Sequence, residues 1–558
     1  MPLLFILINY HWLFMKYFLF PALIILSGCQ STPLSQNNTS KEINQNSEHI
    51  ASAIEINQAL LVDENIDVIH PVEDVDFSLK NDSLQNSNDV WQRIREQFTF
   101  NVPENKRIVA QRNWYLKHPS YFNRVAKRAE PFLFFIVEEL EKNNVPIELA
   151  LLPIVESAFD PFAYSHGRAS GMWQFVPATG KRFGMKQNWW YDGRRDVVAS
   201  TKGAIQYMKY LHKFFDGDWL LALAAYNSGE GRVQRAVRKN KKQGKKVDFW
   251  HLDLPKETQA YVPKLLALAD IIKRKEHFNL SIYEIANEEV ITQVNIKSQI
   301  DLAKAASLAD LSLTELQRLN PGFNRWSTDP QGPHQLVLPK HKVQHFEQGL
   351  AKLSNEERLA WQRYKIKKGD NLGAIANKFH TNIDLIRQVN KIKGNQIRAG
   401  KHLLIPVAAK SLDNYILSQD QRIAKKQSKT QKGIKITHTV VSGDNLWDIG
   451  RHYKVNSSNI AKWNGFAPRD TLKLGQKLVI WQKPSTSNSK TLKASSGVEQ
   501  AIMRNITYKV RRGDSFARIA DKFNVRISDI ERWNSLKRSK YLQPGQKLKL
   551  SVDVTNNI

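Results

Sequence analysis

Leu151-Leu152-Pro153-Ile154-Val155-Glu156-Ser157-Ala158-Phe159 sets one carboxyl at the end of an apolar helical run. A carboxyl buried there resists ionising, and one that keeps its proton near neutral pH can act as a general acid. The alternative is a glutamate that merely caps or salt-bridges a helix. The residues that follow weigh against it. Ser165 is followed by Gly167-Arg168-Ala169-Ser170-Gly171-Met172-Trp173-Gln174-Phe175-Val176-Pro177-Ala178-Thr179, and later come Ala224-Ala225-Tyr226-Asn227-Ser228-Gly229-Glu230-Gly231-Arg232-Val233 and Glu257-Thr258-Gln259-Ala260-Tyr261-Val262. Gln174 and Asn227 offer amide hydrogen bonds, Trp173 and Tyr226 aromatic faces, and Gly171 a backbone that can approach a ligand closely, a set suited to a sugar. Trp173 and Phe175 are also residues that commonly fill a core.

Around this stretch the helical spacing of Trp91, Ile94 and Phe98, the run Pro131–Leu140, and the segments Ala204–Phe215, Trp219–Ala225 and Tyr261–Ile272 predict a mostly α domain over 90–275. The four motif blocks, in order over about 130–275, resemble the soluble-type lytic transglycosylases. That resemblance implies a goose-type lysozyme-like fold, mostly α within the α+β class, with Glu156 as the catalytic acid. It implies that Ser165 and Gln174 contact saccharide or the acid, and that Tyr226 is the tyrosine held close to the catalytic Glu. Asn227 and Tyr261 fall in family motifs that also serve packing and orientation of the cleft.

A conventional glycosidase flanks the scissile bond with two carboxylates. Asp160, Asp192, Asp196 and Asp218 occur in the domain, but none sits in a block assignable to catalysis, and no second acid stands out. The family implies a way around this. One Glu protonates the glycosidic oxygen and then deprotonates the C6 hydroxyl of N-acetylmuramic acid, which attacks the anomeric carbon and closes a 1,6-anhydro ring, with proximity replacing a captured water. A hydrolase of the same fold and a catalytically silent wall-binding protein are the rival readings.

The C-terminal half repeats. Tyr364-Lys365-Ile366-Lys367-Lys368-Gly369-Asp370-Asn371-Leu372, His438-Thr439-Val440-Val441-Ser442-Gly443-Asp444-Asn445-Leu446 and Tyr508-Lys509-Val510-Arg511-Arg512-Gly513-Asp514-Ser515-Phe516 share one template, and Asn390, Asn464 and Asn534 each stand 21 residues after the turn Gly. Each copy closes with Gly and a short apolar strand, Gly400–Ile405, Gly475–Ile480 and Gly545–Leu550, giving a βααβ unit of about 45 residues with Gly where the turn needs a permissive backbone. These units resemble LysM domains, at 362–407, 437–482 and 506–551. The resemblance implies N-acetylglucosamine recognition near each Gly-Asp turn, by Asp370 and Asn371, Asp444 and Asn445, and Asp514 and Ser515. Segment 276–342 reads as a degenerate LysM-like copy that packs against the enzyme. The Ser-, Lys- and Gln-rich stretches 408–436 and 483–505 read as flexible linkers.

At 558 residues, 42% hydrophobic and 24% charged, the chain is an ordinary globular sequence too long for one core. Its net charge of +29 points to a polyanionic partner, whether nucleic acid, phospholipid or a wall polymer. The single cysteine, Cys29, excludes an intramolecular disulfide or a multi-cysteine metal site. It follows an apolar run, and Leu26-Ser27-Gly28-Cys29 resembles a bacterial lipobox. This predicts a lipoprotein signal peptide over 1–28, lipidation at Cys29, and a flexible tether over 29–89. Met15-Lys16 is a complete signal-peptide start by itself, so residues 1–14 read as an upstream misassignment. Gln30 in place of Asp after the cysteine points to the outer membrane, on the periplasmic side. An envelope signal with saccharide-binding repeats makes peptidoglycan the expected partner, the lipid anchor the membrane contact, and nucleic acid no partner; other envelope partners have no signature. Without a phosphate loop or His-Glu-x-x-His, no cofactor or metal is expected. The basic stretch Arg232–Lys246 reads as a wall-polymer contact or a solvated loop.

Overall fold

The computed structural model describes residues 87–483 and 503–553, apart from 512–513, 517–518, 521–522, 524 and 537–541. The signal peptide, Cys29, nearly all of the tether and most of the 483–505 linker lie outside the described residues. The chain divides into two units, 1–483 and 484–558.

In the first unit the catalytic domain is built on the helix Lys256–Lys273. Val262, Leu265, Leu266, Leu268, Ile271 and Ile272 are fully buried along it, so it is apolar nearly all round, as a central helix must be. The helices Val90–Glu96, Lys106–Leu116, Leu152–Ser157 and Trp219–Ser228 pack against it. Side-chain caps set several helix starts. Asp218 accepts the backbone N–H groups of Leu220 and Leu221, and Asp196 accepts that of Ala199. The basic stretch after Gly229 is mainly the helix Glu230–Lys242, with its lysines in the last turn where they complement the carbonyl end.

The domain runs beyond 275. Leu280, Ile282 and Ile285 join its core. The Val90 N–H donates to the Ile285 carbonyl at 2.9 Å, and Trp91 Nε1 donates to Tyr283 at 3.1 Å. The LysM-like fold therefore starts at Ile291, not at 276, because Leu280, Ile282 and Ile285 before it pack into the catalytic core.

Next come β1 (Ile291–Asn295), helices Leu302–Leu308 and Leu313–Leu319, and β2 (Gln335–Pro339), paired antiparallel with Val294 opposite Leu336. This module docks on the catalytic domain. The Asp192 N–H donates to Gly322, the Asn324 N–H donates to Trp190, and Lys186 pairs with Asp329 at 2.9 Å. The three repeats place β3 (Ala360–Lys365) against β4 (His402–Val407), β5 (Ile434–Thr439) against β6 (Lys477–Gln482) and, in the second unit, β7 (Met503–Lys509) against β8 (Lys547–Asp553), all antiparallel.

One asparagine pegs each module. Asn464 Nδ2 donates to the Ile460 and Val479 carbonyls and its Oδ1 accepts from the Val479 N–H, all at 2.7 Å. Asn390 and Asn534 do the same with Leu404 and Lys549. Asn320 in the LysM-like module does so with Val337. The recurring asparagine thus ties the second helix to the returning strand.

The segment 408–436 departs from expectation, because it is ordered for most of its length. Tyr415 is fully buried and its hydroxyl lies 2.9 Å from both Asp301 carboxylate oxygens. The Gln419 N–H donates to Asn324, Asp420 pairs with Arg325 at 2.6 Å, and Gln419–Ser428 is helical. Composition describes what a segment can bury by itself, whereas this one is ordered by partners on two other modules.

Replacing Asn464 by Ala leaves the backbone N–H and carbonyl of Val479 without their side-chain partner and should destabilise the second repeat by about 2 kcal/mol. Faster hydrogen exchange at the Val479 amide, with the catalytic core unchanged, is the expected readout.

Candidate active site

Glu156 lies in the last turn of the six-residue helix Leu152–Ser157, with Pro153 in the first turn, where its missing N–H is harmless. The helix stops abruptly. Ala158 (φ 52°) and Phe159 (φ 56°) are consecutive left-handed residues whose N–H groups return to Ile154 and Pro153. Such conformations cost about 1–3 kcal/mol each in non-glycine residues and persist only where the surroundings enforce them. Here Phe159 is driven fully into the core. Ser157 Oγ lies 3.0 Å from the Met172 carbonyl, binding the helix end to the loop 170–175.

That loop is shaped by Gly171, at φ 84°. A Cβ there would sit 1.9 Å from the Arg194 carbonyl oxygen. The close approach is therefore to the protein's own backbone and not to a ligand, which corrects the expectation for this glycine. Gln174 (φ 50°) turns back so that its Nε2 donates to Gly171 at 2.7 Å. Trp173 is core, its Nε1 donating to Thr201.

Glu156, Gln174, Tyr226, Asn227 and Tyr261 line one cleft together with Glu257 and Lys264. The tyrosine that grips the acid is Tyr261, whose hydroxyl donates to Glu156 Oε1 at 2.5 Å. Tyr226, expected close to the acid, lines the same cleft and donates to the Trp173 carbonyl at 2.7 Å, holding the loop. Ser165 does not line the cleft, and its Oγ accepts the Ala169 N–H in its own turn. Asn227 Oδ1 accepts from Thr258 Oγ1 at 2.8 Å.

Glu257 is a second acid in the cleft, one that did not stand out in the sequence. Glu257, Tyr261 and Lys264 are spaced so that they share one face of the helix Lys256–Lys273. The missed signal was this helical spacing inside a block already singled out. Burial pushes the Glu156 carboxyl up to about 8; the Tyr261 hydrogen bond and Lys264 oppose the rise, and the Glu257 charge adds to it. Burial likewise raises Glu257 to about 7, against a hydrogen bond from Asn227 and the charge of Lys264. Lys264 is itself lowered by burial, despite the two carboxylates. The cleft therefore holds a carboxylic acid that keeps its proton at neutral pH, gripped by a tyrosine.

In the repeats, the expected glycan-contacting side chains are engaged internally. Asp370 accepts from Tyr364 Oη and the Lys367 N–H, Asp444 is hydrogen-bonded to His438 and accepts the Val441 N–H, and Asp514 accepts from Tyr508 Oη and the Arg511 N–H. Asn371 and Asn445 cap the following helices. Ser515 occupies the matching position of the third copy. These groups build the turn, a role the motif spacing alone did not separate from ligand contact.

Family comparisons agree with this layout. The Transglycosylase SLT domain family matches residues 134–249, the LysM-like domain of lytic transglycosylase MltD matches 290–355, and the LysM domain family matches 364–406, 438–481 and 508–551. Membrane-bound lytic murein transglycosylase D of Escherichia coli (strain K12) is 37% identical over 413 residues, covering 72% of this chain and 87% of the relative. The chain belongs to the membrane-bound lytic murein transglycosylase D family. Within 150 residues it is also 49% identical to a putative tributyltin chloride resistance protein of Alteromonas sp. (strain M-1), over 27% of this chain and 72% of that one. Among solved structures, an inactive mutant of the lytic transglycosylase Slt from Pseudomonas aeruginosa shares 22% identity over 35% of this chain and 33% of its own, with a TM-score of 0.22.

The raised acid has a stability consequence. The folded state holds a proton that the unfolded chain releases above about 4.5, so stability falls as pH rises from there to about 8. Glu156→Gln removes this loss. Thermal unfolding should show wild type and variant equal below about pH 4, and the variant higher by a few degrees at about pH 8.

Proposed function

We propose that this member of the family is a lyase that cuts the β-1,4 bond between N-acetylmuramic acid and N-acetylglucosamine in peptidoglycan, leaving 1,6-anhydromuramic ends. The observation that carries the reading is the protonated Glu156 held by Tyr261 in the cleft. Glu156 gives its proton to the bridging oxygen as the bond from the anomeric carbon to that oxygen breaks. The resulting carboxylate takes the C6 hydroxyl proton as the C6 oxygen bonds to the anomeric carbon. The proton count closes without water and Glu156 returns to its starting state. Only protein groups and substrate take part. Tyr261 orients the carboxyl and steadies its charged form between the two steps. Gln174, Asn227 and Tyr226 border the sugar, while Ser165 acts through the loop it caps.

Glu257 gives the hydrolytic alternative a specific basis, since a second carboxylate could activate water. Both routes use the proton that burial retains on Glu156, so the products separate them.

The LysM repeats supply peptidoglycan affinity, and lipidation at Cys29 anchors the chain to the periplasmic face of the outer membrane. No helix among the described residues is long and apolar enough to cross a membrane.

Mass spectrometry of muropeptides released from purified peptidoglycan tests the reaction. The expected wild-type products are lighter by one water than hydrolytic ones and absent with Glu156→Gln; hydrated reducing ends would instead identify a hydrolase. The pH profile of kcat/KM should fall above about 8 as Glu156 loses its proton. Tyr261→Phe, which removes a hydrogen bond favouring the carboxylate, should move that limb to higher pH. Glu257→Gln, which removes a neighbouring negative charge, should move it to lower pH.

A further inference from the structure

We infer that the second repeat is a fixed distal subsite of the cleft, so that the enzyme selects glycan strands long enough to span both. The inference rests on the transglycosylase reading above and specifies its substrate as long strands.

Two attachments hold this repeat on the catalytic domain. Asp470, in the loop before β6, accepts the Tyr164 hydroxyl at 2.9 Å and stands 2.7 Å from Arg168 Nε, while the Ala467 N–H fixes its carboxylate from within the repeat. Tyr164 and Arg168 flank Ser165, on the loop that hydrogen-bonds to residues 169 and 171 beside Gln174. The second attachment is the strap helix Gln419–Ser428. Arg422 lies over the Phe162 ring at 4.9 Å, and Gln427 Nε2 donates to Asn464 Oδ1 at 2.7 Å and to the Lys477 carbonyl. The ion pair and the phenol meet on Asp470, while the guanidinium on a ring and the amide clamp act through the strap helix, so two separate attachments fix the repeat.

The same repeat carries an apolar surface that its siblings lack. Val441, Trp447 and Leu474 flank the Gly443 turn and are 59%, 43% and 73% exposed. The matching residues are Lys367, Gly373 and Ala399 in the first repeat and Arg511, Ala517 and Pro544 in the third. The Trp447 indole, with the Arg451 guanidinium 4.7 Å over its ring, offers its other face for a sugar ring to stack on. A tethered module would only raise local concentration, whereas a clamped one holds its sugar at one distance from Glu156.

Full-length wild type, Asp470→Ala and Trp447→Ala are compared on long peptide-free glycan strands and on a short tetrasaccharide of the same sugars. Asp470→Ala should keep the tetrasaccharide rate, speed hydrogen exchange in the strap helix Gln419–Ser428, and lose about tenfold in kcat/KM on long strands. Trp447→Ala should lose a similar factor on long strands with hydrogen exchange in the strap helix unchanged. Unchanged long-strand rates in both variants would overturn the inference, as would a gain for the released repeat. A wild type that forms no anhydro product from either substrate contradicts the transglycosylase reading itself, so the two failures are distinguishable.

Discussion

Everything in the catalytic domain serves the desolvation of one carboxyl. Glu156 is expensive to ionise because the cleft walls replace water around it, and the Tyr261 hydroxyl recovers only part of that loss. Three features hold this balance. The left-handed pair Ala158 and Phe159 ends the short helix where the acid must emerge, Ser157 locks that end to the Met172 carbonyl, and the buried helix Lys256–Lys273 presents Tyr261 and its neighbours. Moving any of them lets water in or turns the carboxyl away, and both return it toward an ordinary, ionised glutamate.

The C-terminal modules follow a different economy. They are too small for large cores, so each relies on a polar peg, and the asparagine that bridges helix and strand appears in all three repeats and in the LysM-like module. The aspartates of the Gly-Asp turns are spent likewise on backbone N–H groups. What distinguishes one repeat from another therefore lies in the variable residues around this frame, Trp447 above all.

The helical catalytic domain, the βααβ units and the cleft residues Glu156, Gln174, Tyr226, Asn227 and Tyr261 were legible because they sit in local patterns: an apolar run, glycine turns, motif blocks. What escaped depended on contacts between distant segments. Glu257 becomes notable only when its helix face is seen beside Glu156, and Tyr261 rather than Tyr226 holds the acid for the same reason. The strap within 408–436 looked like a solvated linker because its buried tyrosine and arginine find Asp301 and Phe162 on other modules. Gly171 was read rightly as a close approach, but the approaching group is Arg194. Ser165, carried over from the family motif, caps its own turn.

The protonation state of Glu156 tests the account most directly. Infrared difference spectra of wild type against Glu156→Gln, followed across pH, isolate the stretch of its protonated carboxyl. The account predicts that this band is present at neutral pH and disappears around pH 8. A Glu156 that is already ionised at about pH 6, near where ordinary carboxylates have all lost their protons, would contradict it.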